Sequence, residues 1–217
     1  MYKTVVFDLD GTLLNTLTDL ADAGNRLCRK YGWPTHERQA YRYFVGNGIP
    51  KLVERLAPAD QRIPAVLEAA LADFKRDYGQ HLRDTTAPYP GIPEMLAKLK
   101  ANGVQMAVFS NKADALAKEV VKDYFGTQYF TIVRGQMTSV APKPAAEGTN
   151  ALLQALHADP ASTLYVGDSN VDVETAHNAN LPCCGAVWGF RTREELNAAG
   201  AEYLAENSDE LYDVIMK

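Results

Sequence analysis

The chain predicts an α/β protein: a doubly wound, parallel-sheet core of Rossmann-like layout with an inserted helical cap domain. Two observations carry this. A buried-type strand, "VVF" (5–7), runs straight into a pair of carboxylates, Asp8 and Asp10. From about Val104 onwards, short apolar runs alternate with amphipathic helical patterns, the arrangement that produces parallel strands joined by right-handed crossovers.

The elements follow in order. Val5, Val6 and Phe7 are β-branched or aromatic and read as a strand buried on both faces. Between about Asn15 and Thr86 the texture changes to purely helical. Leu17, Leu20, Ala21, Gly24, Leu27, Cys28 and Tyr31 share one helical face, ended by Gly32 and Pro34. Further helical patterns lie at 36–44, 49–57 and 64–84, with no convincing strand among them. This insert of about 70 residues is large enough to be its own small domain, so the expected division is a core of 1–14 and 86–217 and a cap of 15–85. In "IPEMLAKLKANG", Ile92, Met95, Leu96 and Leu99 fall at helical spacing before Gly103. Strands are then expected at "VQMAVFS" (104–110), "YFTIVRG" (129–135), "TLYVGD" (163–168) and "CCGAVW" (183–188). The intervening helices are "KADALAKEVVKDYF", "PAAEGTNALLQALHA" and "VDVETAHNAN".

Bulk properties narrow the classes. Of 217 residues, 47% are hydrophobic and 23% charged, enough apolar content for a packed core. A net charge of −5 argues against nucleic acid or an anionic membrane as partner. No apolar run is long enough to span a bilayer. The three cysteines, Cys28, Cys183 and Cys184, are odd in number and two are adjacent, so no disulfide framework is expected and a reducing, cytoplasmic setting is the natural reading.

Chemistry gathers at the strand ends. Period-2 geometry sends Asp8 and Asp10 the same way, and two carboxylates held together raise each other's pKa unless a cation or a proton separates them. Ser110 ends a second strand and Asp168 a later one. In open parallel sheets ligands bind at such carboxyl ends, near the point where strand order reverses.

"DLDGT" (8–12), "FSNK" (109–112), Lys143 in "APKP" and "GDSNVD" (167–172) stand in the order and setting of the haloacid dehalogenase-like phosphohydrolases. The resemblance spans the whole core, the insert resembles that family's type 1 cap, and the phosphoglycolate phosphatase-like members are the most similar. It implies that Asp8 attacks phosphorus to give an aspartyl-phosphate, and that Asp10 protonates the leaving oxygen and then activates water. It implies Mg²⁺ held by Asp8, Asp168 and the backbone carbonyl of Asp10, with Asp172 either coordinating or meeting a bound water or Lys143. Ser110, the backbone N–H of Asn111 and Lys143 would grip the phosphoryl oxygens, and Thr12 would hydrogen-bond in the turn beside the substrate. In the cap, "FVGNGIPK" offers Asn47 and Lys51 as contacts to the leaving group, Lys51 to a carboxylate. Arg191 in "WGFRT" either reaches the site or begins a helix.

The implied function is Mg²⁺-dependent hydrolysis of a small phosphorylated metabolite, 2-phosphoglycolate first. Pyrophosphatase, sugar-phosphate phosphatase and phosphomutase activities stand as alternatives. A phosphate-binding or phospho-acceptor module is the non-enzyme alternative, disfavoured because such a module has little use for Asp10. A monomer or a homodimer, without nucleic acid or membrane, is the expected state. Three departures from the family pattern, Asn15, "KPAA" and the Ala179-Asn180 helix end, leave the proposed catalytic set untouched.

Overall fold

The computed structural model describes residues 1–217 and divides them into two compact units, Met1–Asn15 with Pro88–Lys217, and Thr16–Ala87. The chain opens on strand β1 (Thr4–Phe7), buried along its whole length, then passes through a short strand β2 (Leu14–Asn15).

Four helices build the second unit: α1 (Leu17–Tyr31), α2 (Arg38–Phe44), α3 (Ile49–Leu56) and α4 (Pro64–Gln80). Leu20, Ala21, Gly24, Leu27 and Cys28 form the buried face of α1, and Ala70, Phe74 and Tyr78 that of α4. Gly32 ends α1 in the left-handed conformation, as its position suggests. Helix α4 stops four residues short of the expected 84. His81 leaves helical dihedrals and its ring meets Asp84 at 2.7 Å, after which the chain turns to a buried carboxylate.

That carboxylate is Asp19, 2% exposed in the first turn of α1. Its Oδ1 accepts from the N–H and hydroxyl of Thr85 (2.9 and 2.5 Å), and its Oδ2 from those of Thr86 (2.9 and 2.7 Å). Four donors on one buried carboxylate tie the end of the unit to its first helix. Asp19→Ala removes the buried carboxylate that these four donors share, so urea denaturation should show a loss of about 2–4 kcal/mol. Asp22→Ala, exposed on the same helix, should change stability by less than about 0.5 kcal/mol.

The core resumes with β3 (Ala87–Pro88), which pairs with β2, and α5 (Ile92–Ala101). It continues through β4 (Gln105–Ala113), α6 (Asp114–Phe125), β5 (Phe130–Gln136), α7 (Ala146–Leu156), β6 (Thr163–Gly167), α8 (Asn170–Asn178) and β7 (Cys183–Ala186). Three further elements close the chain: α9 (Arg193–Ala198), β8 (Tyr203–Ala205) and α10 (Ser208–Met216). The sheet is parallel, ordered β5-β4-β1-β6-β7-β8. After β1 the chain moves outward on one side to β5, then crosses to β6 and builds the other side. Strand order therefore reverses around β1, and the carboxyl ends of β4, β1 and β6 flank the natural ligand crevice.

One boundary moves in a way that matters for the site. "NKA" (111–113) was expected in the loop or the start of α6, yet β4 runs to Ala113, which pairs with Gln136 across a register shift. Asn111 and Lys112 are therefore strand residues, and the N–H of Asn111 is not at a helix start. The cysteines are buried and unpaired; burial pushes the Cys184 thiol up to about 12 and the Cys28 thiol to about 11, which fits packing rather than reactivity. No helix is long and apolar enough to cross a membrane.

Candidate active site

Asp8 follows the last residue of β1, its N–H bonded to the Val166 carbonyl (2.8 Å). The chain then turns sharply: the Leu9 carbonyl accepts from the N–H groups of Thr12, Leu13 and Leu14. Gly11 sits in this turn at φ +95°, and a Cβ there would lie 2.2 Å from Asp168 Oδ2. Only glycine satisfies both the left-handed backbone and the close approach of the β6 carboxylate.

Asp168, just past β6, is 2% exposed. Its Oδ2 accepts the Phe190 N–H (2.7 Å) and its Oδ1 the Thr12 hydroxyl (3.3 Å). Trp188 braces the same turn, its indole N–H donating to the Thr12 carbonyl (3.0 Å). A Cβ on Gly189, between them, would fall 2.2 Å from Asp168 Cβ and 2.6 Å from the Gly11 carbonyl. The "WGF" segment thus packs its backbone directly onto Asp168. Arg191 is 8% exposed and its charge draws the Asp168 pKa down, ahead of α9, whose N-cap is Thr192.

Lys143 lies at the centre of the acidic group, with its side chain 2% exposed. Its Nζ is 2.7 Å from Asp8 Oδ1 and 2.6 Å from Asp172 Oδ1. Asn111 fixes the backbone of this lysine: its Oδ1 accepts the Lys143 N–H (2.8 Å) and its Nδ2 donates to the Lys143 carbonyl (3.2 Å). Asp172 forms a capping box with Ser169 at the start of α8, its Oδ2 accepting the Ser169 N–H (3.1 Å) and hydroxyl (2.7 Å). Both oxygens of Asp172 thus have protein donors, so the capping role and the contact to Lys143 hold together.

Carboxylate oxygens of Asp8, Asp168 and Asp172 all lie within 4.8 Å of one another, every one buried. Burial, then the Asp172 and Asp10 charges, push the Asp8 carboxyl up to about 7 against the pull of Lys143. Burial, then Asp172 and Asp8, hold Asp168 well above the usual carboxylate range. Burial alone would lower the Lys143 ammonium, but Asp172 and Asp8 outweigh it and carry it well above the normal lysine range. Three buried carboxylates and one ammonium leave excess negative charge, and the donors are all hard oxygens, a set that fits a small divalent cation such as Mg²⁺.

The structure bonds Lys143 to both Asp8 and Asp172 and brings Asp168 within 4.8 Å of those two carboxylates, with Thr12 and Asn111 as supports. The resemblance puts Thr12 beside the substrate; it is fully buried, with its hydroxyl donating to Asp168 Oδ1. The resemblance gives Asn111 a role through its N–H; in addition its side chain clamps the backbone of Lys143. Ser110 is 3% exposed within β4, three residues before its end, its Oγ accepting the Lys112 N–H (3.2 Å). Asn47 and Lys51 belong to the helical unit and are engaged within it: Asn47 Oδ1 accepts from Arg55 (2.9 Å), and Lys51 pairs with Glu54 (2.8 Å).

One residue with a place in this group had no role from sequence alone. Lys112 has a side chain 2% exposed and an Nζ 3.0 Å from Asp10 Oδ1. Asp8 and Asp10, two residues apart, therefore have separate lysines. The signal was the lysine of "FSNK", which a helix start beyond Ser110 would have pointed elsewhere.

A parallel sheet that reverses around β1, with an Asp-x-Asp turn, a buried lysine and a further acidic pair at its carboxyl edge, defines a phosphate-handling hydrolase architecture. Residues 5–186 match the haloacid dehalogenase-like hydrolase family, and the chain belongs to it. It is 31% identical over 216 residues to phosphoglycolate phosphatase of Chromobacterium violaceum, covering 98% of this chain and 96% of that protein. Phosphoglycolate phosphatase of Vibrio parahaemolyticus is 29% identical over 218 residues, with the same two coverages. Among solved structures, a protein of Lactobacillus delbrueckii provisionally named phosphoglycolate phosphatase superposes with a TM-score of 0.93 at 27% identity, covering 99% of this chain and 98% of the other.

Proposed function

We propose that the protein is a phosphomonoesterase acting on a small phosphorylated metabolite, 2-phosphoglycolate before others, with Asp8 as nucleophile. The observation that carries this reading is the division of cations between the two neighbouring carboxylates. Lys143 holds Asp8, and Lys112 holds Asp10. A pocket that only bound phosphate would gain little from a second, separately held carboxylate. A phosphatase needs two, because one oxygen must attack phosphorus while another carboxyl moves protons.

In this reading Asp8 Oδ attacks phosphorus in line with the ester bond, and an aspartyl-phosphate forms as that bond breaks. Asp10 gives a proton to the departing oxygen, then takes one from the water that cleaves the acyl phosphate and regenerates Asp8. Lys143 stays beside Asp8 throughout, restraining it and meeting charge on the phosphoryl oxygens. The Ser110 hydroxyl donates to the same oxygens. Asp8, Asp168 and the carbonyl of Asp10 would hold Mg²⁺, with Asp172 beside them, and the ion when bound neutralises charge on the transferring group. The acidic cluster, the family membership and the similarity to phosphoglycolate phosphatases support the same reading.

The test is phosphate release from a panel of 2-phosphoglycolate, pyrophosphate and several sugar phosphates, with Mg²⁺ and with EDTA. Release should favour 2-phosphoglycolate, require the metal, and fall by about 10²–10⁴ in Asp10→Asn. Preference for pyrophosphate or a sugar phosphate would replace the substrate, and silence of the wild type on every compound would sink the phosphatase reading.

A further inference from the structure

Two lysines of the chain are buried, Lys143 and Lys112. The first is accounted for by Asp8 and Asp172. The second has its ammonium beside Asp10, 3.0 Å from Oδ1 and 3.4 Å from Oδ2. Burying an ammonium in strand β4 is costly for folding, and an apolar side chain of similar length would pack there at lower cost. The charge at this point calls for a task beyond stability.

Its location supplies one. Asp10, on the reading above, donates its proton to the ester oxygen of the leaving group, so that oxygen sits within about 3 Å of the Asp10 carboxyl when the bond breaks. Lys112 is a further 3.0 Å from the same carboxyl. A substituent next to the ester oxygen that points to the Lys112 side of the Asp10 carboxyl therefore comes within reach of that ammonium. In a phosphorylated 2-hydroxy acid a single carbon separates the ester oxygen from a carboxylate, which places the carboxylate oxygens about 3 Å from the ester oxygen. An ammonium has three donors and is able to serve Asp10 and such a carboxylate together.

From this placement we infer that Lys112 is a specificity-determining residue that binds a carboxylate on the leaving group, so that the substrates are 2-phosphonooxy carboxylates. The inference rests on the phosphatase reading and on the role of Asp10 within it. Sugar phosphates present hydroxyls at this distance, with no charge for the lysine, and their second anions, where present, are many bonds away. Pyrophosphate would set a more highly charged phosphoryl group beside the Asp10 carboxylate with one ammonium to meet it. A singly charged carboxylate matches a single lysine. Lys51, the residue that the sequence put forward for this contact, already pairs with Glu54 on an exposed part of α3.

The experiment measures kcat/KM for 2-phosphoglycolate and for 2-hydroxyethyl phosphate, which has the same length with a hydroxymethyl group in place of the carboxylate. Both are measured with Mg²⁺, on the full chain and on Lys112→Met, with pyrophosphate and glucose 6-phosphate as further substrates. The readout is the ratio of the two kcat/KM values, which does not depend on the fraction of folded enzyme. The wild-type ratio should be about 10² or more, and Lys112→Met should lower it at least about 30-fold, chiefly by raising KM for 2-phosphoglycolate. Lys112→Arg, which keeps the charge, should retain more of the ratio than the methionine variant. If both rates fall together and the ratio stays put, Lys112 serves Asp10 alone and the inference is overturned. A wild type that prefers pyrophosphate or glucose 6-phosphate overturns it while leaving the phosphatase reading in place. No phosphate from any substrate overturns both.

Discussion

Asp8→Asn should abolish turnover while leaving a protein that is at least as stable as the wild type. The amide cannot attack phosphorus, and loss of a covalent nucleophile costs at least about four orders of magnitude in kcat. Stability moves the other way because the native carboxyl is held up to about 7, by burial first and by the Asp172 and Asp10 charges next. The unfolded carboxyl ionises near 4. Between these values the folded chain binds the extra proton, so the wild-type protein loses stability as pH rises from about 4 through about 7. Asparagine resembles the protonated form and is spared that loss. The gap in Tm between variant and wild type, both in EDTA, should therefore open in favour of Asp8→Asn as pH is raised from 5 to 8. Loss of one anionic partner of Lys143 works against this gain and limits it to a few degrees. Thermal melts at three pH values check the sign; a variant that melts progressively lower than wild type across this range would show that Asp8 is there for folding.

The fold was legible because its dominant signals are local. Val5-Val6-Phe7, the alternation after Val104 and the helical face from Leu17 to Tyr31 each need only the residues around them. Apart from α10 (Ser208–Met216), most of what escaped was set by distant pairing or by shortness. β4 continues over Asn111, Lys112 and Ala113 because Ala113 pairs with Gln136, more than twenty residues on; nothing within "SNKA" announces it. β8 has three residues and α9 six, too short for a period to emerge, although the capping pair Thr192 and Glu195 was present in the sequence. The site divides along the same line. Asp8, Asp10, Lys143 and "GDSNVD" could be picked out as a pattern of residue types, and the structure bonds Lys143 to Asp8 and Asp172 with Asp168 close beside them. Thr12, Asn111 and Lys112 carry motif positions too, but their partners (Asp168, the backbone of Lys143, and Asp10) are fixed by how strand ends meet across the sheet. Phe190 and Gly189 are harder still, since they act through a backbone N–H and an absent Cβ. No residue type signals either.

Lys143→Met should be the most destabilising change in the site, and the way it is repaired should separate folding from chemistry. The substitution keeps roughly the same side-chain volume and removes the ammonium 2.7 Å from Asp8 and 2.6 Å from Asp172. Three buried carboxylates then face one another within 4.8 Å with that cation gone. Breaking a buried ion pair from one side costs about 3–5 kcal/mol, equivalent to roughly 10 °C in Tm for a chain of this size. Carboxyl protonation relieves part of this, so the deficit should be larger at pH 8 than at pH 5. Adding Asp172→Asn removes one of the stranded charges, keeps a side-chain oxygen for the Ser169 cap, and should recover at least about 1 kcal/mol relative to additivity. Mg²⁺ added to Lys143→Met should also raise Tm, and by more than it raises the wild type, since the excess negative charge it meets is greater. Neither repair returns a cation to the point where charge develops on the transferring phosphoryl group. Turnover should therefore stay down by about 10³ or more in the single and the double variant alike. Melts and phosphate release on the four proteins of this cycle decide the matter: stability that recovers while activity does not means that the same ammonium holds the folded cluster together and serves the reaction, whereas joint recovery would reduce Lys143 to a structural counter-ion.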